Sequence, residues 1–235
     1  MIIKNVKVFK EDGHFEDGEI CIEHGRIAEK TSEDGVIDGE GCWAIPGLTD
    51  IHFHGCAGRD FGEGTQEAIL RMAAYEGREG ITTICPATLT LSEQQLTKIS
   101  EAAKDYDNTE GAILCGINME GPFINAKKKG AQNEAYIRKP DADMFERLQK
   151  ASGGLYKLVD IAPEIEGAMD FIDAVKDKVT VSVAHTMADY ETAMEAFERG
   201  ARHVTHLYNA MPPFLHREPG VIGAACDRDD VRVEL

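Results

Sequence analysis

The chain contains no C-x-x-C pair. Its six cysteines stand scattered at positions 21, 42, 56, 85, 115 and 226 of 235 residues. That scatter excludes a cysteine zinc finger and argues against a disulfide framework, so reduced thiols in a cytoplasmic setting are expected. No segment approaches the roughly 18 apolar residues of a membrane helix. The opening stretch Met1 to Phe9 is strand-like and lacks an apolar signal-peptide core. Basic runs are absent apart from Lys127, Lys128 and Lys129, and the formal net charge is -17. A nucleic-acid binder would carry a basic surface instead, and no membrane partner is expected. No G-x-G-x-x-G follows the first strand after residue 46, and neither a Walker A loop nor an H-E-x-x-H helix occurs. Dinucleotide binding, P-loop chemistry and a zincin protease are therefore unsupported.

What the chain does have is enough apolar content, 43%, to bury a sizeable core. Residues 1 to 46 read as a small β segment. Ile2 to Phe9 and Ile20 to Ile27 are β-rich, with Asp12-Gly13 and Asp17-Gly18 as turn signals. After Pro46-Gly47 the rhythm changes, and residues 47 to 235 alternate apolar strands with helical patterns. Strands are expected at 48–54, 81–85, 112–119, 156–162, 179–184, 203–207 and 231–235. Helices are expected at 65–79, 92–104, 141–150, 167–176 and 190–199. Repeated strand–helix units predict an α/β fold with a parallel sheet, and a (β/α)₈ TIM-type barrel is the natural candidate; a doubly wound open sheet is the alternative.

In such a barrel the chemistry sits at the C-terminal ends of the strands. His52 and His54 end the first strand two residues apart, so their imidazoles share a face. Glu120 ends the third, His185 the fifth and His206 the sixth. A strand-end histidine standing alone is more often a hydrogen-bonded polar residue than a ligand. An H-x-H pair alone is moderate evidence, because two inward imidazoles are costly without a partner, and a lone Glu120 reads equally as a salt-bridged core residue. Their joint placement is what points to a metal. Imidazole and carboxylate suit zinc, iron, manganese or cobalt. Five donors exceed one tetrahedral site, whereas two ions bridged by Glu120 would use them all. His203 is read as structural, and His14 and His24 as surface residues.

These residues, in this order, resemble the amidohydrolase superfamily and, more narrowly, its N-acetylglucosamine-6-phosphate deacetylase family. The resemblance runs from the N-terminal β segment through Pro46-Gly47-Leu48-Thr49-Asp50-Ile51-His52-Phe53-His54-Gly55. It is most specific at Met119-Glu120-Gly121-Pro122-Phe123, Lys128-Lys129-Gly130-Ala131-Gln132, Thr205-His206-Leu207-Tyr208-Asn209-Ala210-Met211 and Arg217-Glu218-Pro219-Gly220. It implies a metal-dependent hydrolase of amino-sugar catabolism that releases acetate and glucosamine 6-phosphate from N-acetylglucosamine 6-phosphate. Glu120, His185 and His206 would be the principal metal ligands, and His52 and His54 would hold a second ion. Ala131, Gln132, Asn209 and Ala210 would touch the substrate, and Arg217 would bind its phosphate; an ordinary ion pair between Arg217 and Glu218 is the alternative.

The resemblance further implies a homodimer, a barrel with a composite β-sandwich, and a general acid/base aspartate at the end of an eighth strand. Val231-Arg232-Val233-Glu234-Leu235 resembles the start of the seventh. The expectation is thus a chain incomplete at its C-terminus, with no catalytic residue of its own, that keeps metal and lacks deacetylase activity. The alternatives are another amidohydrolase acting on a different amide and an inactive sugar-phosphate-binding fragment.

Overall fold

A computed structural model describes residues 1–235. It divides into two compact units, Met1–Leu48 and Thr49–Leu235. No helix is long and apolar enough to cross a membrane.

The first unit is a five-stranded sheet. β1 (Ile2–Phe9) pairs antiparallel with β2 (Phe15–Glu23), which pairs antiparallel with β3 (Arg26–Ala28). β4 (Val36–Asp38) and β5 (Trp43–Ala44) run parallel to β1. The β-rich stretch expected at 20–27 is two strands joined by a tight turn. His24 and Gly25 have φ of 51° and 73°, which suits a two-residue hairpin of the type that needs positive φ at both central positions. Asp17-Gly18 is not a turn. Gly18 lies inside β2 opposite Val6, where the register with β1 shifts, so this glycine marks an irregularity within the strand.

The second unit contains the strand–helix repeats. β6 (Leu48–Asp50) is followed by a short hairpin of β7 (Gly55–Cys56) and β8 (Arg59–Asp60). Next come α1 (Gln66–Arg78), β9 (Ile81–Ile84), α2 (Glu93–Lys104), β10 (Ile113–Leu114), β11 (Ile117–Met119), α3 (Ala142–Ala151) and β12 (Tyr156–Ile161). α4 (Ala168–Val175), β13 (Thr180–Val183), α5 (Tyr190–Arg199), β14 (His203–Val204), α6 (Gly220–Cys226) and β15 (Arg232–Val233) complete it. β11, β12, β13, β14 and β15 form one parallel ladder in sequence order. β9 lies between β6 and β10 in another sheet. A parallel bridge between Ala87 and Asn118 joins the chain after β9 to β11.

The strand expected at 112–119 is broken, and its hydrogen bonds show why. Cys115 N–H donates to Ile84 O and Ile117 N–H to Leu155 O. The chain changes neighbours from β9 to β12 at Gly116, where a Cβ would come within 2.4 Å of Lys157 Cγ.

The helices begin where the sequence supplies caps. Thr65, Asp141 and Asp189 accept from the backbone of α1, α3 and α5, and Ser92 forms a capping box with Gln95; such caps contribute roughly 1 kcal/mol each. Their apolar faces cover the strands: Leu96, Ile99 and Ala103 from α2, Met144, Phe145 and Leu148 from α3, Ala193, Ala196 and Phe197 from α5, all buried. Each fully buried large side chain contributes roughly 1.5–3 kcal/mol. Phe123, Phe145, Tyr156 and Phe171 pack edge to face among them, and the Tyr156 hydroxyl meets Ser100 Oγ at 3.0 Å. This core fixes the strands and so the segments that leave their C-terminal ends: Ile51–His54 after β6, Glu120 after β11, His185 after β13 and His206 after β14.

Candidate metal centre

The five strand-end donors meet. Glu120 is buried at the middle of the cluster. Its Oε1 lies 2.9 Å from His185 Nε2, 3.3 Å from His206 Nε2 and 3.5 Å from His52 Nε2, and its Oε2 lies 3.0 Å from His54 Nε2. His185 Nε2 and His206 Nε2 are 3.1 Å apart. Two overlapping three-donor groups result, His52–His54–Glu120 and Glu120–His185–His206, with the carboxylate common to both.

This arrangement fits a divalent ion. The triangle of Glu120 Oε1, His185 Nε2 and His206 Nε2 has edges of 2.9, 3.1 and 3.3 Å. A tetrahedron with bonds of about 2.0–2.1 Å has edges of roughly 3.3 Å. The outward ring nitrogens also have partners suited to ligand histidines. His185 Nδ1 donates to Lys128 O at 2.7 Å and His54 Nδ1 to Ala87 O at 3.1 Å. His52 Nδ1 donates to Glu234 Oε2 at 2.6 Å. Each bond selects the tautomer that leaves Nε2 with a lone pair directed at the cluster. His206 Nδ1 has no partner.

The electrostatics agree. Burial alone would raise the Glu120 carboxyl, but bonds from His185, His206, His52 and His54 outweigh it and hold the group far below the usual carboxylate range. For His52, burial opposes the charged ring, yet the bonds to Glu120 and Glu234 carry it up to about 10. His54 is raised against burial in the same way, chiefly by Glu120. Bound protons thus supply the positive charge that the carboxylates demand, and a divalent cation can replace them.

Local backbone contributes. His185 and His206 have φ of 45° and 34°, an uncommon region for residues with a Cβ and one that concentrates at functional sites. Each turns back at its strand end to aim its ring inward. Asn125 N–H donates to His185 O at 2.9 Å, and Thr186 N–H to Ala210 O at 3.0 Å. Glu164 clamps the same loops, accepting from Asn125 Nδ2 at 2.7 Å, Thr186 Oγ1 at 2.5 Å and Met187 N at 2.6 Å.

A family model described as "Amidohydrolase family" matches residues 43–228. The chain belongs to the amidohydrolase family. N-acetylglucosamine-6-phosphate deacetylase of Bacillus subtilis is 34% identical, the alignment covering 100% of this chain and 63% of that protein. The human protein of the same name is 32% identical over 94% of this chain and 56% of its own length. The chain therefore spans less than two thirds of these relatives. Among solved structures, a point mutant of N-acetyl-D-glucosamine-6-phosphate deacetylase from Mycobacterium smegmatis, in complex with N-acetyl-D-glucosamine-6-phosphate, superposes with a TM-score of 0.90 at 28% identity. It covers 100% of this chain and 62% of that one. The Thermotoga maritima enzyme gives a TM-score of 0.83 at 31% identity, with coverage of 100% and 62%.

The remaining expected residues of this amidohydrolase divide. Gln132 is buried against the cluster: its Nε2 donates to Glu120 Oε2 at 2.8 Å and its Oε1 accepts from Thr90 N at 2.6 Å. Ala131 and Asn209 are exposed. Ala210 supplies the carbonyl that holds Thr186. Arg217 is exposed and lines a cleft of about 680 Å³ together with Asp189, Tyr190, Pro213, Glu218 and Asp227, and none of the five donors is in that lining. Leu215 and Glu218 exchange backbone hydrogen bonds of 3.2 Å, and this tight turn presents His216 and Arg217 outward. Within the run Lys127–Lys129, Lys128 binds Met211 O at 3.0 Å and His185 through its own carbonyl.

Three participants escaped the sequence reading. Glu234 and the brace Glu164 carry no motif spacing to the histidines. Asp160, on β12, is fully buried, with Oδ1 accepting from Thr205 Oγ1 at 2.9 Å. Burial, reinforced by the Glu120 charge, pushes its carboxyl well above the usual range. The only hint was a carboxylate between the apolar residues Val159 and Ile161.

Proposed function

We propose that this amidohydrolase performs the metal-dependent removal of the N-acetyl group of N-acetylglucosamine 6-phosphate, giving acetate and glucosamine 6-phosphate. The observation that carries the reading is the convergence of four Nε2 atoms on the Glu120 carboxylate. The substrate class comes from the relatives, which bear that activity in their names and share the fold over this chain's whole length. In this reading the parallel strand series is part of a (β/α)₈ barrel and Met1–Leu48 part of a β-sandwich. Exposed Phe214 and Leu215 beside Arg217 support the pairing of two copies.

Glu120, His185 and His206 would hold one ion; His52 and His54, sharing Glu120, would hold a second. Zinc, iron, manganese and cobalt all suit these donors. A bound divalent ion supplies a nucleophilic water near neutral pH and polarises the acetyl carbonyl. The chain's own groups keep the centre in register. Glu120 stays ionised among its imidazoles, Gln132 fixes its carboxylate plane, and Lys128 and Ala87 carbonyls hold the His185 and His54 rings. Asp160 is fully buried and tied to Thr205, with its carboxyl raised well above the usual range. Arg217 offers a planar fork for phosphate.

The test is calorimetric titration of the metal-loaded protein with N-acetylglucosamine 6-phosphate and with N-acetylglucosamine. Binding of the phosphorylated sugar that is weakened at least tenfold without the phosphate, and lost on metal removal, is expected. Equal affinity for both sugars, or binding indifferent to metal, would overturn the assignment.

A further inference from the structure

Glu234 touches both halves of the centre. Its Oε2 accepts from His52 Nδ1 at 2.6 Å and from the His206 backbone N–H at 3.2 Å. Its own backbone is anchored on both sides of His206: Glu234 N–H donates to Val204 O at 3.0 Å, and Leu207 N–H to Glu234 O at 2.8 Å. The side chain is only 13% exposed. The second oxygen, Oε1, is buried without a hydrogen-bond partner. His203 Nε2 lies 3.8 Å from it, and the other ring nitrogen of His203 meets Ser182 Oγ at 2.9 Å. His203 thus stands behind Glu234 inside the fold.

The three outward ring contacts differ in kind. His54 and His185 lean on neutral carbonyls, whereas His52 leans on a carboxylate. That difference has an electrostatic consequence. Two divalent ions sharing Glu120 would have one formal negative charge between them. A second carboxylate one ring away raises the basicity of His52 and offsets part of the repulsion between the ions. The bond also fixes the ring, because a His52 free to turn would lose the alignment of Nε2 with Glu120.

We propose that Glu234 is a positioning residue: through His52 it creates the second half of the centre, and through the His206 backbone it ties that half to the first. This inference rests on the metal-dependent reading above. It places the control of metal number outside the five donors themselves.

The experiment is competitive zinc titration of the purified protein, counting ions and affinities for the wild type, Glu234→Gln and Glu234→Leu. Glu120→Gln serves as the control for the whole centre, and far-UV circular dichroism checks the fold of each. The expected wild type takes up two ions. Glu234→Gln, which keeps volume and an acceptor oxygen, weakens the second ion about tenfold, and Glu234→Leu weakens it about 10–100-fold, the usual cost of losing a partner behind a ligand histidine. In the zinc-loaded wild type, a slowly exchanging His52 Nδ1 proton is expected by NMR and is lost in Glu234→Leu. Wild-type affinity for both ions in a folded Glu234→Leu, or uptake of a single ion unaffected by His52→Asn, would overturn the role of Glu234 while leaving the metal centre standing. Failure of the wild type to bind zinc, with Glu120→Gln indistinguishable from it, would overturn both.

Discussion

The Gln132 side-chain amide donates a 2.8 Å hydrogen bond to the Glu120 carboxylate and accepts a 2.6 Å bond from the Thr90 backbone N–H. A residue assigned to the substrate loop by resemblance is thus a strut between the Glu120 carboxylate and the loop after β9. Replacing it with leucine strands a buried N–H and removes a bond from an ionised group. The expected cost for Gln132→Leu is about 1–3 kcal/mol in folding stability, read by urea denaturation, together with weaker zinc binding. Unchanged midpoint and unchanged affinity would show that the strut is idle.

Metal binding should depend on pH with a defined sign. In the metal-free protein the His52 ring is raised from 6.5 to about 10, its bonds to Glu120 and Glu234 overriding burial, so its proton must leave before Nε2 can bind a cation. Apparent zinc affinity should therefore rise from pH 6 to pH 8, about tenfold per unit for each proton displaced. Stability of the metal-free fold runs the opposite way. A raised folded-state pKa contributes stability that is whole below about 6.5 and fades as pH climbs through about 10. Zinc titrations at three pH values, paired with metal-free thermal melts, measure both slopes.

Gly121 has no room for a side chain. Its φ is 77°, and a Cβ would sit 2.0 Å from Thr90 Oγ1. Gly121→Ala should destabilise the fold by more than about 2 kcal/mol and displace the adjacent Glu120, lowering zinc affinity. Adding Thr90→Ala should recover part of the loss, because it removes the nearest clashing atom; thermal melts of the single and double variants reveal the coupling.

Asp160→Asn should raise stability at neutral pH. Burial, with the nearby Glu120 charge, raises the Asp160 carboxyl well above its ordinary range, so ionising it costs the folded chain more than the unfolded one. Asparagine removes that penalty and keeps an acceptor for Thr205. A midpoint increase of roughly 2–4 °C, about what 1 kcal/mol brings in a chain of this size, is expected at pH 7 and should shrink toward pH 4. A decrease at pH 7 would show that the carboxyl itself is needed.

Much of this was legible in the sequence, and the part that was not has a physical reason. The apolar periodicity of the helices is a local signal, and the five expected helices lie within one residue of the observed ends. The strand-end rule brought His52, His54, Glu120, His185 and His206 into view because each strand ends where its ladder ends. The break at Gly116 was hidden, since a change of neighbour from β9 to β12 leaves no trace in an apolar run. The His52–Glu234 bond joins residues 182 positions apart, and no spacing pattern reaches that far. Arg217 shows the converse. Its motif is specific, yet the lining of its cleft includes none of the five donors. The positive φ values of His185 and His206 were equally invisible: the His185 carbonyl is held by Asn125 N–H and the His206 N–H by the Glu234 carboxylate, both distant in sequence.

The most direct test of the account is the metal content of the purified protein after exhaustive dialysis, compared with Glu120→Gln and His185→Asn. The arrangement predicts one to two equivalents of a divalent transition metal in the wild type and a loss of most of it in either variant, with the helical circular-dichroism signal preserved. A wild type that retains no such metal under loading conditions, or variants that retain as much as it does, would contradict the assignment of Glu120 and its histidines as a metal centre.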